Sequence, residues 1–232
     1  MVDCVRTSKR VDDVRIRKKK WAAPELEKCP YFIPNPEDRK GNWRQFFDND
    51  NPIELEIGCG KCSFIAQKAL LNPDVNFIAV DIKSDMLGVG RRNIEKLFTE
   101  NGLPSPKNIA LVAYNVEMIE NILSEDDKIH ALYINFCNPW PREKHKKRRL
   151  TFPKKLVKYK DFLKRDAKIY FKTDDDPLFD DSILYFEQSG YEIVYLTRDL
   201  HHSEITDNIE TEHEKMFTAD GIPIKYLEAK LL

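Results

Sequence analysis

The chain has 232 residues, 41% of them hydrophobic and 33% charged, with 13 Pro and 8 Gly; this suits a cytosolic domain that buries its own core and excludes fibrous and low-complexity classes. No apolar run approaches the ~20 residues that cross a bilayer, the opening MVDCVRTSKR lacks the apolar stretch of a secretory signal, and five cysteines form no disulfide framework. The formal net charge of −1 conceals strong local imbalance. Residues 1–20 hold eight basic residues against three acidic ones, and 141–160 hold ten against Glu143 alone. Six acids without Lys or Arg occupy 199–214, and five occupy 173–181. Basic segments of this kind suit a polyanionic partner, and the acidic ones a local task.

Residues 1–50, rich in charge and Pro, read as a basic N-terminal arm and a loosely ordered lead-in. From residue 53 the chain alternates β-branched apolar runs with amphipathic stretches. Strands are predicted at 53–57, 76–80, 108–112, 129–136, 167–171 and 191–196, and helices at 61–71, 84–100, 153–164 and 177–189, with Pro153 and Pro177 in first turns. A seventh strand at 222–227 follows a long polar loop and is expected to pair antiparallel at or near an edge. The alternation implies right-handed βαβ units, hence an α/β Rossmann-like domain over 51–232: a mostly parallel seven-stranded sheet with an antiparallel last strand and helices on both faces.

Ligands of such sheets sit beyond the carboxyl ends of the strands. The first strand runs into Glu56-Ile57-Gly58-Cys59-Gly60-Lys61-Cys62-Ser63. Gly58 and Gly60 permit a tight turn before a helix, but Ser63 stands where a dinucleotide fingerprint needs its third Gly. The second strand ends at Asp81, a position where a carboxylate accepts ribose hydroxyls. An acid at 56 would repel a pyrophosphate and suits a cationic α-amino ligand such as S-adenosylmethionine. Cys59 and Cys62 have no second pair, so no metal is expected. The fourth strand leads into Asn138-Pro139-Trp140-Pro141, whose prolines fix an extended loop with an aromatic for base stacking, followed by six Lys or Arg between 142 and 149.

Five segments in order resemble the bacterial tRNA (guanine-N7-)-methyltransferase family: Arg15 to Ala22, Glu54 to Lys61, Asn135 to Thr151, Phe171-Lys172-Thr173-Asp174 and Thr211 to Phe217. The resemblance implies a class I methyltransferase fold, S-adenosylmethionine as donor with S-adenosylhomocysteine as product, and methylation of the variable-loop guanine of tRNA at N7. It implies a cytoplasmic monomer or homodimer whose partner is tRNA. Carried over by motif, the cofactor is held by Glu56, Gly58, Gly60, Asp81, Asn115 and Asn138. Arg142, Asp174, Thr211, Glu212, His213 and Glu214 contact the target, and Lys144, His145, Lys146, Lys147, Arg148 and Arg149 the RNA backbone. Asn138 and Asp174 occupy the catalytic positions. The sequence departs from the family pattern at Cys62 for Gly, Asp81 for Glu, and Asn138 for the Asp of Asp-Pro-Trp-Pro. An amino-group methyltransferase is the competing reading, since Asn138-Pro139-Trp140 also resembles the Asn-Pro-Pro-aromatic motif of those enzymes.

Overall fold

Alternating strands and helices dominate the computed structural model, which describes residues 19–232; residues 1–18, most of the basic arm, lie outside the described residues. The chain order is α1 (Ala22–Glu27), β1 (Phe32–Ile33), α2 (Trp43–Phe47), β2 (Ile53–Ile57), α3 (Ser63–Leu71), β3 (Asn76–Asp81), α4 (Ser84–Glu100), β4 (Ile109–Ala113) and β5 (Ile129–Asn135). There follow α5 (Pro153–Tyr159), β6 (Leu163–Thr173), α6 (Asp176–Gln188), β7 (Tyr191–Thr197), α7 (Glu212–Ala219) and β8 (Lys225–Leu231). The sheet runs β1-β4-β3-β2-β5-β6-β8-β7. Strands β1 to β6 pair in parallel, and β8 lies antiparallel between β6 and β7.

Among the described residues the sheet has eight strands, one more than predicted from the sequence. Phe32 and Ile33 pair beside Leu111 and Val112 and close the β4 edge; a two-residue strand carries no period to read. The lead-in before residue 51 thereby joins the core. Trp43 is fully buried and its indole N–H donates to the Ile122 carbonyl at 2.8 Å. Ala22 of α1 packs so closely on α4 that a Cβ at Gly88 would meet the Ala22 Cβ at 2.5 Å. The last strand begins three residues later than its apolar run, because Pro223 cannot donate to a ladder.

Burial follows the pleat. Leu55, Ile57, Ile78, Val80, Leu132 and Ile134 face a core with Leu156, Tyr159, Phe179 and Phe186 of α5 and α6. On the other face Phe77, Ala79, Ala131 and Tyr133 pack with Ile65, Ala66, Leu87 and Ile94 of α3 and α4. No helix among the described residues is long and apolar enough to cross a membrane.

Candidate active site

From β2 the chain runs outward through β3 and β4, then returns to β5 on the other side of β2. This reversal is the point at which open α/β sheets bind ligands. A cleft open to solvent lies there between the ends of β2 and β5 and the start of α7. It brings together Glu56, Gly58, Gly60, Thr211, Glu212 and His213, six of the residues expected from the sequence.

Glu56 is 2 % exposed. Its Oε1 accepts from Asn135 Nδ2 at 3.0 Å, while Oε2 is buried without a hydrogen-bond partner. Burial pushes its pKa up to about 8, against the Asn135 hydrogen bond and the nearby Lys172 ammonium, which favour ionisation. A buried carboxylate oxygen with nothing to accept is costly unless a donor arrives. Asn135, at the end of β5, was not singled out as a site residue from the sequence. Its signal is positional, a polar residue closing an apolar strand beside the switch point.

The glycine turn is built to approach a ligand closely. Gly58 and Gly60 have φ of +75° and +53°, a region other residues enter at a cost. The Gly58 and Cys59 N–H groups donate to the Val80 carbonyl. Asp81 accepts from Gly60 N at 3.0 Å and Lys83 N at 2.8 Å, fixing the turn against the end of β3. Across the cleft, Lys61 Nζ bridges to Glu212 Oε2 at 2.6 Å.

The other wall, the start of α7, was read from the sequence as part of a polar loop. Thr211 and Glu214 form a capping box: the Thr211 hydroxyl accepts from Glu214 N at 3.0 Å and Glu214 Oε2 from Thr211 N at 3.4 Å. The Thr-x-x-Glu spacing is the signal that marks the helix. The structure also corrects the place of Glu214. It is fully buried, with Oε1 accepting from Asn208 Nδ2 at 2.6 Å and Oε2 from Lys172 Nζ at 3.1 Å. It points inward and is not among the residues that line the cleft. His213 is exposed and stacks at 6.1 Å on Phe136.

Outside the cleft lining, Asp81 closes β3, and Asn115, Asn138, Arg142 and Asp174 stand on neighbouring loops. Asn115 caps the short helix Val116–Asn121, accepting from Glu117 N at 3.0 Å. Asn138 is exposed, and its side-chain carbonyl accepts from Trp140 N at 3.0 Å; its amide N–H groups are the part left to face a ligand. Asp174, directly after β6, is half-buried, and burial raises its carboxyl pKa above the usual range.

After β5, Phe136 and Trp140 both take positive φ, 51° and 43°, a strain of about 1–3 kcal/mol each that the surroundings must hold. Arg149 braces this loop at Pro139, next to Trp140. It is 1 % exposed, donates from Nε to the Pro139 carbonyl at 2.7 Å, and pairs with Asp181 at 2.5 Å. Its expected role on the RNA backbone is therefore corrected, because the guanidinium is buried under its own loop. Lys146, partly exposed, is paired with Asp181 at 3.0 Å and with the surface carboxylate of Glu143 at 2.9 Å. Arg142, Lys144, Lys147 and Arg148 remain exposed. Arg148 lies 5.0 Å over the Trp140 ring, covering one face of the expected stacking surface. Partial desolvation, with the Arg148 and Lys144 charges nearby, lowers the His145 pKa below its ordinary value.

Comparison with known proteins supports the fold. A family model described as "Putative methyltransferase" matches residues 50–227. Among solved structures, an antibiotic-related methyltransferase superposes with a TM-score of 0.62 at 14% identity, over 88% of this chain and 97% of that one. The 16S rRNA methyltransferase KamB gives 0.60 at 13% identity, over 82% and 92%; at these identities the likeness is one of fold. Much nearer in sequence are two proteins named tRNA (guanine-N(7)-)-methyltransferase. That of Clostridium beijerinckii is 54% identical, covering 93% of this chain and 98% of its own. That of Ruminiclostridium cellulolyticum is 52% identical, covering 94% and 92%. Identity at this level over nearly the full length of both chains places the protein in the tRNA (guanine-N7-)-methyltransferase family.

Proposed function

We propose that the chain transfers a methyl group from S-adenosylmethionine to N7 of the variable-loop guanine of tRNA. The observation that carries the reading is the Glu56 Oε2 atom, buried at the glycine turn and without a partner. A cationic α-amino group is the donor it lacks, and such a group would favour the ionised carboxylate that burial alone disfavours. The backbone of Gly58 and Gly60 would lie along such a ligand, and Asp81 would take its ribose hydroxyls. A carboxylate has about four lone-pair sites, so the two backbone N–H groups that Asp81 already holds leave room.

When bound, the cofactor supplies an electrophilic methyl on a sulfonium. Neutral guanine carries a free lone pair and no proton at N7, so no side chain has to act as a base. What the chain must provide is alignment, with the reacting atoms held ~3–3.5 Å apart, and negative charge near a base that becomes cationic. Asp174 offers a carboxylate to the N1–H and exocyclic amino donors of guanine, and Glu212 a second at the cleft mouth. The Asn138 amide suits the carbonyl edge of the base. An Asn there replaces the family's Asp without loss of an essential proton acceptor. Exposed Arg142, Lys144, Lys147 and Arg148 meet phosphates, so recognition depends on shape and charge more than on sequence.

The test is incubation of unmodified tRNA transcript with methyl-labelled S-adenosylmethionine, then cleavage at 7-methylguanosine. Label is expected at one variable-loop guanine; label at adenine N6, or none, would reject the reading.

A further inference from the structure

Lys172 is a buried lysine, 5 % exposed, on β6. Its ammonium has three protons and three acceptors: Asn208 Oδ1, the Ile209 carbonyl at 3.1 Å and Glu214 Oε2 at 3.1 Å. All three lie within 208–214, the segment that enters α7 and carries Thr211, Glu212 and His213 into the cleft. Glu214 is itself tied back to that segment through Asn208 and the Thr211 capping box. His201 Nε2 adds a further contact, 3.3 Å from Glu214 Oε1. On the sheet, Lys172 is the register partner of Asn135, the residue that holds Glu56. One ammonium thus stands between the strand ends that form the cleft floor and the segment that forms its wall.

We propose that Lys172 is a positioning residue for methyl transfer: it fastens the 208–214 segment to the end of β6, so that Thr211, Glu212 and His213 are held over the cleft. The proposal rests on the functional reading above for what the segment is positioned against. Charge neutralisation of Glu214 alone would be a structural role; the bonds to Asn208 and the Ile209 carbonyl make it a directional one. Displacing a wall of the cleft by about 1 Å lowers turnover roughly 100-fold.

The two roles separate in the variant Lys172→Met/Glu214→Gln, which removes both buried charges together and keeps a side-chain acceptor for the Thr211 N–H of the capping box. If Lys172 positions the segment, the double variant melts cooperatively and binds S-adenosylhomocysteine within about threefold of the unaltered protein. Its backbone amides at 208–214 exchange faster, and kcat/KM for tRNA falls on the order of 100-fold. Recovery of amide protection and kcat/KM to near the unaltered values would overturn the proposal, since it would show that Lys172 only neutralised Glu214. An absence of methyl transfer by the unaltered protein would count against the functional reading, and the exchange measurement would still decide whether Lys172 anchors the segment. A double variant that fails to melt cooperatively is replaced by Asn208→Ala, which leaves the charge pair in place; unchanged amide exchange there overturns the proposal as well.

Discussion

Replacing Glu56 by Gln isolates the charge at the cleft floor. The substitution keeps the shape and the acceptor used by Asn135, but removes the group whose pKa burial raises from 4.5 to about 8. A folded-state pKa above the unfolded one means that the folded protein binds the proton more tightly. The resulting stability is fully present below pH 4.5 and is lost as the pH rises through about 8. At ~1.4 kcal/mol per pH unit, the loss between pH 5 and pH 8 is about 4 kcal/mol, or about 10 °C in Tm for a chain of this size. Thermal unfolding of the ligand-free protein and of E56Q across that range provides the assay. The difference in Tm should move in favour of E56Q as the pH rises, because the other titrating groups are common to both. Binding of S-adenosylhomocysteine should show the converse dependence. In the unaltered protein affinity should improve toward pH 8, where Glu56 ionises readily, whereas E56Q should bind on the order of 100-fold more weakly with little pH dependence, having lost a buried charge-assisted pair. Parallel melting curves with equal affinities would refute the assignment of Glu56 as the cofactor's ammonium partner.

Asp174→Ala should lower kcat for methyl transfer by about 10²–10³, while Asn138→Asp should change it less than tenfold; equal or reversed losses in single-turnover assays would reject that ordering. Neutralising Arg142, Lys144, Lys147 and Arg148 together should flatten the slope of log K against log salt for tRNA by about 3, from roughly 0.7–0.9 per phosphate contact. An unchanged slope in binding titrations would mark the cluster as solvated surface. Arg149→Met should cost about 2–4 kcal/mol, read as a fall in Tm, because it leaves the Pro139 carbonyl without its donor and Asp181 with Lys146 as its remaining partner.

Much of the fold was legible because its signals are periodic. Strands buried on both faces read as continuous β-branched runs, and α3 to α6 carry helical spacing bounded by Pro or Asn. The elements missed are those whose signal is short or non-local: β1 has two residues, and α2 is held by Trp43, whose partners lie some 80 positions away. The start of α7 was legible in Thr211-x-x-Glu214 but hidden by the polar surroundings that made 199–214 resemble a loop. In the site, Glu56, Gly58 and Gly60 were readable because their residue types are unusual at a strand end. Arg149 and Glu214 were not, because a run of like charges does not disclose which member turns inward. Lys172 lay within a recognised segment, yet its three acceptors come from residues 208–214, brought to it only by the closing of the sheet.

The central claim is that guanine N7, set over the Glu56 cleft, receives the methyl group. It is tested most directly with tRNA carrying 7-deazaguanosine at the variable-loop position, a base identical in outline but lacking the N7 lone pair. The account requires this tRNA to bind with unchanged affinity and to accept no label from S-adenosylmethionine, while the matched guanosine tRNA accepts one methyl per molecule. Equal labelling of both would place the methyl on another atom and contradict the account.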